Sequence, residues 1–409
     1  MERSVNRISV KSVSNIKQKG WLYTKEEEEK KEWEAGLKKY FIFILATIFC
    51  MFAFSTQSEG SSRMIRNRNR IARENNRIIR NENRVVISFA GDCTLGSDLR
   101  FGRWGSFVEA VEQHGYAYFF ENVLHIFEND NLTVVNLEGP LTDATYGADK
   151  EFVFRGDKEF VNILVEGSIN LVNIENNHIF DYFQQGYDDT INVLRENGIG
   201  YFGGNIAHIE TINGIRFGFL GYMGFTDYEG LRDRITRDIG NLRAMDVDIV
   251  IISFHWGEEL SNHPNQTQMD LARFSIGEGA DFIFGHHPHV IQGIEIYQGK
   301  PIVYSLGNFS FGGNRNPRDH DTFIFQMIYI IDGDDITFES RIIPSSISST
   351  RHRNDYRPTP SNWEDSLRIR ERLLEYSQGF NSEEFINRSF VMGLRPASAK
   401  RTRFLADMQ

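Results

Sequence analysis

From Val85 onward the chain alternates short apolar runs with amphipathic stretches. The apolar runs fall at Val85–Ala90, Leu132–Asn136, Asn170–Ile174, Ile215–Leu220, Val247–Phe254 and Asp281–Phe284. They are short, rich in β-branched and aromatic residues, and predict strands. Helical stretches are predicted between them, around Phe107–His114, Tyr118–Glu128, Glu159–Glu166, Gly186–Asn197, Ile235–Met245 and Gln266–Glu278. Strands alternating with helices predict an α/β fold with a mostly parallel sheet covered on both faces. Pro301–Ser305, Phe323–Ile331 and Ile336–Ile343 then read as consecutive strands, an antiparallel portion that closes the fold.

Upstream of this body the pattern is different. Residues 1–39 are polar and mixed in charge and read as a tail on the cytoplasmic side. Tyr40–Phe54 carries no charge. It is shorter than the ~20 residues of a full span, but Leu37 and the flanking Lys38 and Lys39 extend it. An uncleaved signal anchor over residues 40–56 is favoured over a cleaved signal, whose cleavage sequence at Ala53-Phe54-Ser55 is weak, and over a buried helix. The two basic residues that abut the run place the N-terminus inside and the main domain outside the cell membrane, as a single-pass protein. Residues 57–84 are rich in Arg and Asn and read as a solvated stalk, with an anionic polymer or lipid as the sharper alternative.

Beyond the body, which spans 85–345, residues 346–360 read as a Ser-, Arg- and Pro-rich linker. Ser361-Asn362-Trp363-Glu364 has the form of a capping box ahead of Leu367, Ile369, Leu373 and Leu374. A C-terminal helical extension that packs back on the domain follows.

Composition narrows the classes. The chain has 45 Lys and Arg against 56 Asp and Glu, a formal charge of −11. That balance argues against a dedicated nucleic-acid binder. The two cysteines, Cys50 in the apolar run and Cys93 in a predicted turn, exclude a disulfide framework and a CxxC zinc site. GxSxG, the phosphate loop GxxxxGK[ST] and a GxGxxG fingerprint that follows a strand are all missing.

Polar residues gather just after the predicted strands. Asp92 follows the first, Asn136 and Glu138 the second, Asn176, Asn177 and His178 the third. His255 follows Phe254, and His286, His287 and His289 follow Phe284. Taken singly, each has an ordinary structural account, as a turn aspartate, a helix cap or a hydrogen-bonded histidine. Together they converge on the carboxyl edge of the sheet, where open α/β sheets bind ligands. Imidazoles with carboxylate and amide oxygens suit one or two divalent ions of Mn, Fe or Zn type, and such ions activate water for hydrolysis.

The ordered series Gly91-Asp92-Cys93-Thr94-Leu95-Gly96, Asn136-Leu137-Glu138-Gly139-Pro140, Asn177-His178 with Asp181, His255-Trp256-Gly257, Gly285-His286-His287-Pro288-His289 and Ser305-Leu306-Gly307-Asn308-Phe309 resembles the CapA family of poly-γ-glutamate capsule biosynthesis proteins. The resemblance implies a layered sandwich of mixed sheets flanked by helices, like that of calcineurin-like metallophosphoesterases. It implies Asp92, Glu138, Asn177, His178, His255, His287 and His289 as metal ligands, with His178 and His255 catalytic and His286 and Asn308 positioning substrate. Two departures stand out: Thr94 replaces a histidine ligand, and Glu138 replaces a bridging aspartate. The implied partners are poly-γ-glutamate or another anionic envelope polymer and a membrane synthase complex. A phosphate-ester hydrolase and a non-catalytic polyglutamate-binding accessory are the competing functions.

Overall fold

The first strand, β1 (Arg84–Cys93), is buried along nearly its whole length and lies near the middle of a seven-stranded sheet. This computed structural model describes residues 83–393 apart from 334. The expected tail, the anchor at 40–56 and the stalk up to residue 82 lie outside the described residues. Among the described residues no helix is long and apolar enough to cross a membrane.

In chain order the helices α1 (Phe107–His114) and α2 (Leu124–Phe127) lead to β2 (Leu132–Leu137), and α3 (Val161–Glu166) leads to β3 (Leu171–Asn173). Next come α4 (Phe183–Glu196), β4 (Gly200–Phe202), β5 (His208–Ile212), β6 (Ile215–Met223), α5 (Glu229–Ala244), β7 (Ile249–His255), α6 (Gln266–Glu278) and β8 (Phe282–His286). The chain closes with β9 (Ile294–Tyr297), β10 (Lys300–Val303), β11 (Asp321–Asp332), β12 (Asp335–Ser346), β13 (Thr359–Pro360), α7 (Trp363–Tyr376) and α8 (Glu383–Ser389).

Two mixed sheets result, ordered β13-β12-β11-β1-β2-β3-β4 and β5-β6-β7-β8-β10-β9. In the first, β1 to β4 run parallel while β11, β12 and β13 are antiparallel additions. In the second, β6, β7, β8 and β10 run parallel between antiparallel β5 and β9. The sheets bury one apolar face against each other: Val85, Ile87 and Phe89 of β1 meet Phe282 and Phe284 of β8 and Phe217 and Phe219 of β6. Phe89 alone sits 4.8 Å from the ring centres of both Phe282 and Phe284. Full burial of such a ring contributes about 1.5–3 kcal/mol. The outer faces are covered by α1 to α4 on the first sheet and by α5 and α6 on the second.

Four local expectations are corrected. The helix expected over 118–128 is a 3-10 turn, Tyr116–Phe120, followed by the four-residue α2. Phe119 stacks on Phe107 while the adjacent Phe120 turns to Phe309, and a tight turn serves two such neighbours. Cys93 is not in a turn but ends β1, where burial raises its thiol far above the usual range.

The linker expected at 346–360 is a packed strap. Tyr356 is buried there, its ring against Phe107 and its hydroxyl donating to the Gly105 carbonyl at 2.7 Å. The cap of α7 is Asn362, whose side chain accepts from the amides of Glu364 and Asp365, so the Ser361 capping box does not form. That helix packs back on the domain through Ile369 and Leu373, with Leu374 partly buried and Leu367 exposed.

Candidate metal centre

A bulge sets the first ligand-type residue. Along β1 and β2, Phe89 pairs with Val134 but Asp92 pairs with Asn136, so β1 carries one extra residue between them. Bulges of this kind re-aim a side chain. Gly91 makes the bulge possible, because a Cβ there would fall 1.9 Å from the Gly307 carbonyl oxygen. The amide of Asp92 donates to that same oxygen at 2.9 Å, and Phe309 donates back to the Asp92 carbonyl at 2.8 Å.

Asp92 is fully buried. Its Oδ1 accepts from Asn136 Nδ2 at 2.8 Å and lies 3.0 Å from His286 Nδ1. Its Oδ2 accepts from the His287 amide at 3.2 Å and lies 3.4 Å from His289 Nδ1. Burial alone would raise this carboxyl, yet hydrogen bonds and charge from His286 and His289 hold it well below the usual carboxylate range.

Glu138, just past the end of β2, is also buried. Thr94 donates to its Oε2 at 3.5 Å. Its Oε1 has no hydrogen-bond partner among the described residues, and the nearby His289 Nε2 and His255 Nε2 stand 3.7 and 3.9 Å away. Burial pushes Glu138 up to about 8, against the pull of His289.

The histidines come from β7, from β8 and the turn after it, and, for His178, from the turn that follows β3. His255 ends β7 and sets Nε2 2.8 Å from Asn177 Oδ1. Burial holds its ring well below the ordinary imidazole value. His178 Nδ1 lies 2.8 Å from Asp181 Oδ2, a carboxylate that also pairs with Lys150 and accepts from the Phe154 amide. His287 and His289 adopt left-handed backbone, φ 94° and 58°, which non-glycine residues rarely do. Burial and the neighbouring His289 lower His287 to about 4. For His289, burial works downward but Glu138, Asp92 and Glu259 outweigh it, raising the ring to about 10.

Two groups of ligand-type atoms emerge, each within 4.8 Å: Asp92, Glu138 and His289, and Glu259, His287 and His289. Orphaned Glu138 Oε1 and His287 Nδ1, with mixed carboxylate and imidazole donors, fit a divalent cation. His178, Asn177 and His255 stand beside these groups.

Of the two residues expected to position substrate, His286 has no exposed surface and lies against Asp92. Asn308 is buried against His289 and orients it. Three further residues enter the site: Asn136, the donor to Asp92, and Asp181, the partner of His178, both within the sequence motifs, and Glu259, which shares a ligand-type group with His287 and His289. All three lie within four residues of an expected ligand, and that proximity is the signal the sequence carries.

The fold and the site define a class: a two-sheet α/β sandwich with a buried carboxylate–imidazole centre at the carboxyl edge of its parallel strands. Within that class the chain belongs to the bacterial capsule synthesis protein PGA_cap family, whose profile matches residues 86–313. It is 34% identical over 249 residues to the "PGA biosynthesis protein CapA" of Bacillus subtilis, covering 55% of this chain and 62% of that protein. It is 32% identical over 248 residues to the "Capsule biosynthesis protein CapA" of Bacillus anthracis, covering 53% and 59%. A "Probable polyglutamine synthesis accessory protein" of Mycobacterium tuberculosis is 28% identical over 217 residues, covering 45% and 57%. The chain thus spans about three fifths of the length of these curated relatives. A crystal structure of a hypothetical protein from Thermus thermophilus aligns with a TM-score of 0.37 at 15% identity, over 63% of this chain and 99% of that one.

Proposed function

We propose that the chain acts in assembly of an anionic envelope polymer, poly-γ-glutamate in the first instance, through a divalent-cation-dependent hydrolytic centre. The observation that carries this reading is Glu138 Oε1, a buried carboxylate oxygen without a hydrogen-bond partner among the described residues, close to His255 and His289. An unpaired buried carboxylate is costly, and a cation removes that cost. Asp92, Glu138, Asn177, His255, His287 and His289 would hold the ion or ions, of Mn, Fe or Zn type. When bound, they supply charge for activating water and stabilising the developing anion.

The chain's own groups handle orientation and protons. Asn136 fixes Asp92, and Asn308 fixes His289. His178, held at Nδ1 by Asp181, leaves Nε2 free to accept a proton from the attacking water and pass it to the departing amine, so that water adds across the γ-amide with its protons accounted for. The anchor at 40–56 and the Arg-rich stalk would hold this domain on the outer side of the membrane, beside a synthase complex.

The test uses the 409-residue chain with Mn2+ or Zn2+, counting bound metal by elemental mass spectrometry and following polymer length by size-exclusion chromatography. Bound cation and shortened polyglutamate, both lost in Asp92→Asn, support the proposal. Phosphate release from a model diester with the polymer intact would favour a phosphoesterase. No bound cation would favour a polymer-binding accessory.

A further inference from the structure

Between the loop ahead of β11, the strap at 346–352 and the first turns of α7 lies a cavity of about 700 Å3. Its lining residues fall between 316 and 372, beyond the 86–313 segment that the family profile matches. We propose that this cavity is a carboxylate-binding subsite, which grips an anionic polymer at a distance from the cation centre. The inference rests on the reading of the chain as acting on poly-γ-glutamate.

Charge is the first observation. Four arginines and three aspartates line the cavity, in a chain whose formal charge is −11. The aspartates are all taken up. Arg372 bridges Asp319 and Asp321 at 2.9 and 2.5 Å, Arg368 reaches Asp321 at 2.6 Å, and Arg351 reaches Asp365 at 3.2 Å. The fourth arginine, Arg318, is exposed and has no ion pair among the described residues. Arg351 has a side chain 69% exposed and spends only Nη2 on Asp365, so the rest of its fork faces solvent. A guanidinium fork matches a carboxylate in two parallel hydrogen bonds. The imidazoles of His320 and His352 line the same cavity.

A second observation is Ser361. It lines the cavity at 8% exposure, and its Oγ has no hydrogen-bond partner among the described residues. A buried hydroxyl without a partner marks a place where a polar group is wanted.

Placement is the third. Because β11 runs antiparallel to β1, its first residue, Asp321, stands at the carboxyl edge to which β1 delivers Asp92. Thr322 donates to the Leu306 carbonyl at 2.8 Å, which fastens the start of β11 to the segment that presents Asn308 to His289. The sheet order β13-β12-β11-β1 sets the cavity one to three strands from β1, about 5–15 Å at the usual strand spacing. A polymer extended across these strand ends meets both the centre and the arginines.

The test follows binding of poly-γ-glutamate to the 409-residue chain by fluorescence anisotropy, with chelator present so that no bound cation contributes. The forms compared are the unaltered chain, the double form Arg318→Ala with Arg351→Ala, Arg318→Glu, and Arg195→Ala. Arg195 is exposed near the end of α4, at the opposite edge of the sheet, and serves as the control. The double form is expected to bind about 10-fold more weakly, Arg318→Glu also to weaken, and Arg195→Ala to bind as the unaltered chain does. Circular dichroism checks the fold, and Mn2+ loading after the chelator is removed is expected to be equal in all forms. Unchanged affinity in the double form, or an equal loss in Arg195→Ala, would overturn the inference. Polyphosphate of matched charge that binds as tightly, with the same loss in the double form, would give the cavity to phosphate and overturn it too. In each of these cases Mn2+ loading and polymer shortening by the unaltered chain leave the proposed centre standing. Their absence, with the double form still weakened, strikes the centre and leaves the subsite.

Discussion

His289 and Asn308 hold each other at two points. His289 Nδ1 lies 2.9 Å from Asn308 Oδ1, and Asn308 Nδ2 donates to the His289 carbonyl at 3.1 Å. The same Nδ1 faces Asp92 Oδ2 at 3.4 Å. Set between two oxygen acceptors, Nδ1 carries the hydrogen and Nε2 is left for a ligand. Asn308 also bridges to Asp92 through the backbone, so one residue orients both partners.

Asn308→Ala is therefore expected to weaken Mn2+ binding about 10- to 100-fold, the usual cost of losing a group that orients a ligand. Isothermal titration of the 409-residue chain reads the affinity, and far-ultraviolet circular dichroism confirms the fold. Unchanged affinity would show that the left-handed backbone at His289 suffices to aim the ring.

Gly91→Ala tests whether the bulge in β1 sets the site. An added Cβ would lie 1.9 Å from the Gly307 carbonyl oxygen and 2.9 Å from its carbonyl carbon, both backbone atoms that cannot rotate aside. Overpacking costs about 1–3 kcal/mol where side chains give way, and more where the backbone must. The expected result is a fall of at least about 3 kcal/mol in urea-unfolding free energy, with loss of Mn2+ binding because Asp92 moves with the strand. Normal stability would mean that the two loops part without cost.

Much of this arrangement was legible in the chain. Buried parallel strands read as continuous apolar runs, which is why β1, β2, β6, β7 and β8 stood out and why the polar residues after them marked the site edge. The strands β4, β9 and β13 have two to four residues, partly exposed, and leave no comparable pattern. Three adjacent imidazoles could not be told apart by spacing. Only the end of β8 at His286 and the left-handed backbone of His287 and His289 separate the supporting ring from the ligand-type ones. Glu259 lies in an exposed turn, and its approach to His287 and His289 accompanies a hydrogen bond from Leu260 to Pro288 that no local signal encodes.

The strap at 346–360 misled for a related reason: its Ser, Arg and Pro content is that of a linker, while its burial rests on a few residues. Tyr356→Phe is expected to cost about 1–3 kcal/mol by leaving the Gly105 carbonyl without its donor, and Tyr356→Ala about 3–5 kcal/mol by emptying the space beside Phe107. Urea unfolding checks both values. Asn354 ties the same strap to the Phe311 carbonyl at 2.9 Å, and Phe311 packs on His289, so the alanine form is also expected to loosen the wall of the site.

Asp98 gives the fold an acid-sensitive joint near the site. Burial raises its carboxyl, but the Arg100 guanidinium and the amides of Val153 and Arg100 outweigh burial and hold it below its usual value. Through those bonds it joins the turn at 98–101 to the segment before Phe154, whose ring lies 4.4 Å from that of His178. A carboxyl depressed in the folded state contributes stability above its unfolded value, about 3.9, and loses it as pH falls through the lower folded value. Asp98→Asn is therefore expected to lower Tm at pH 7, with the gap from the unaltered chain closing as pH is taken below about 4. Thermal melts at about pH 7, 5 and 3, on either side of that value, check the sign. A gap that stays constant into acid would assign the effect to lost hydrogen bonds to Val153 and Arg100 alone, with no part played by the charge.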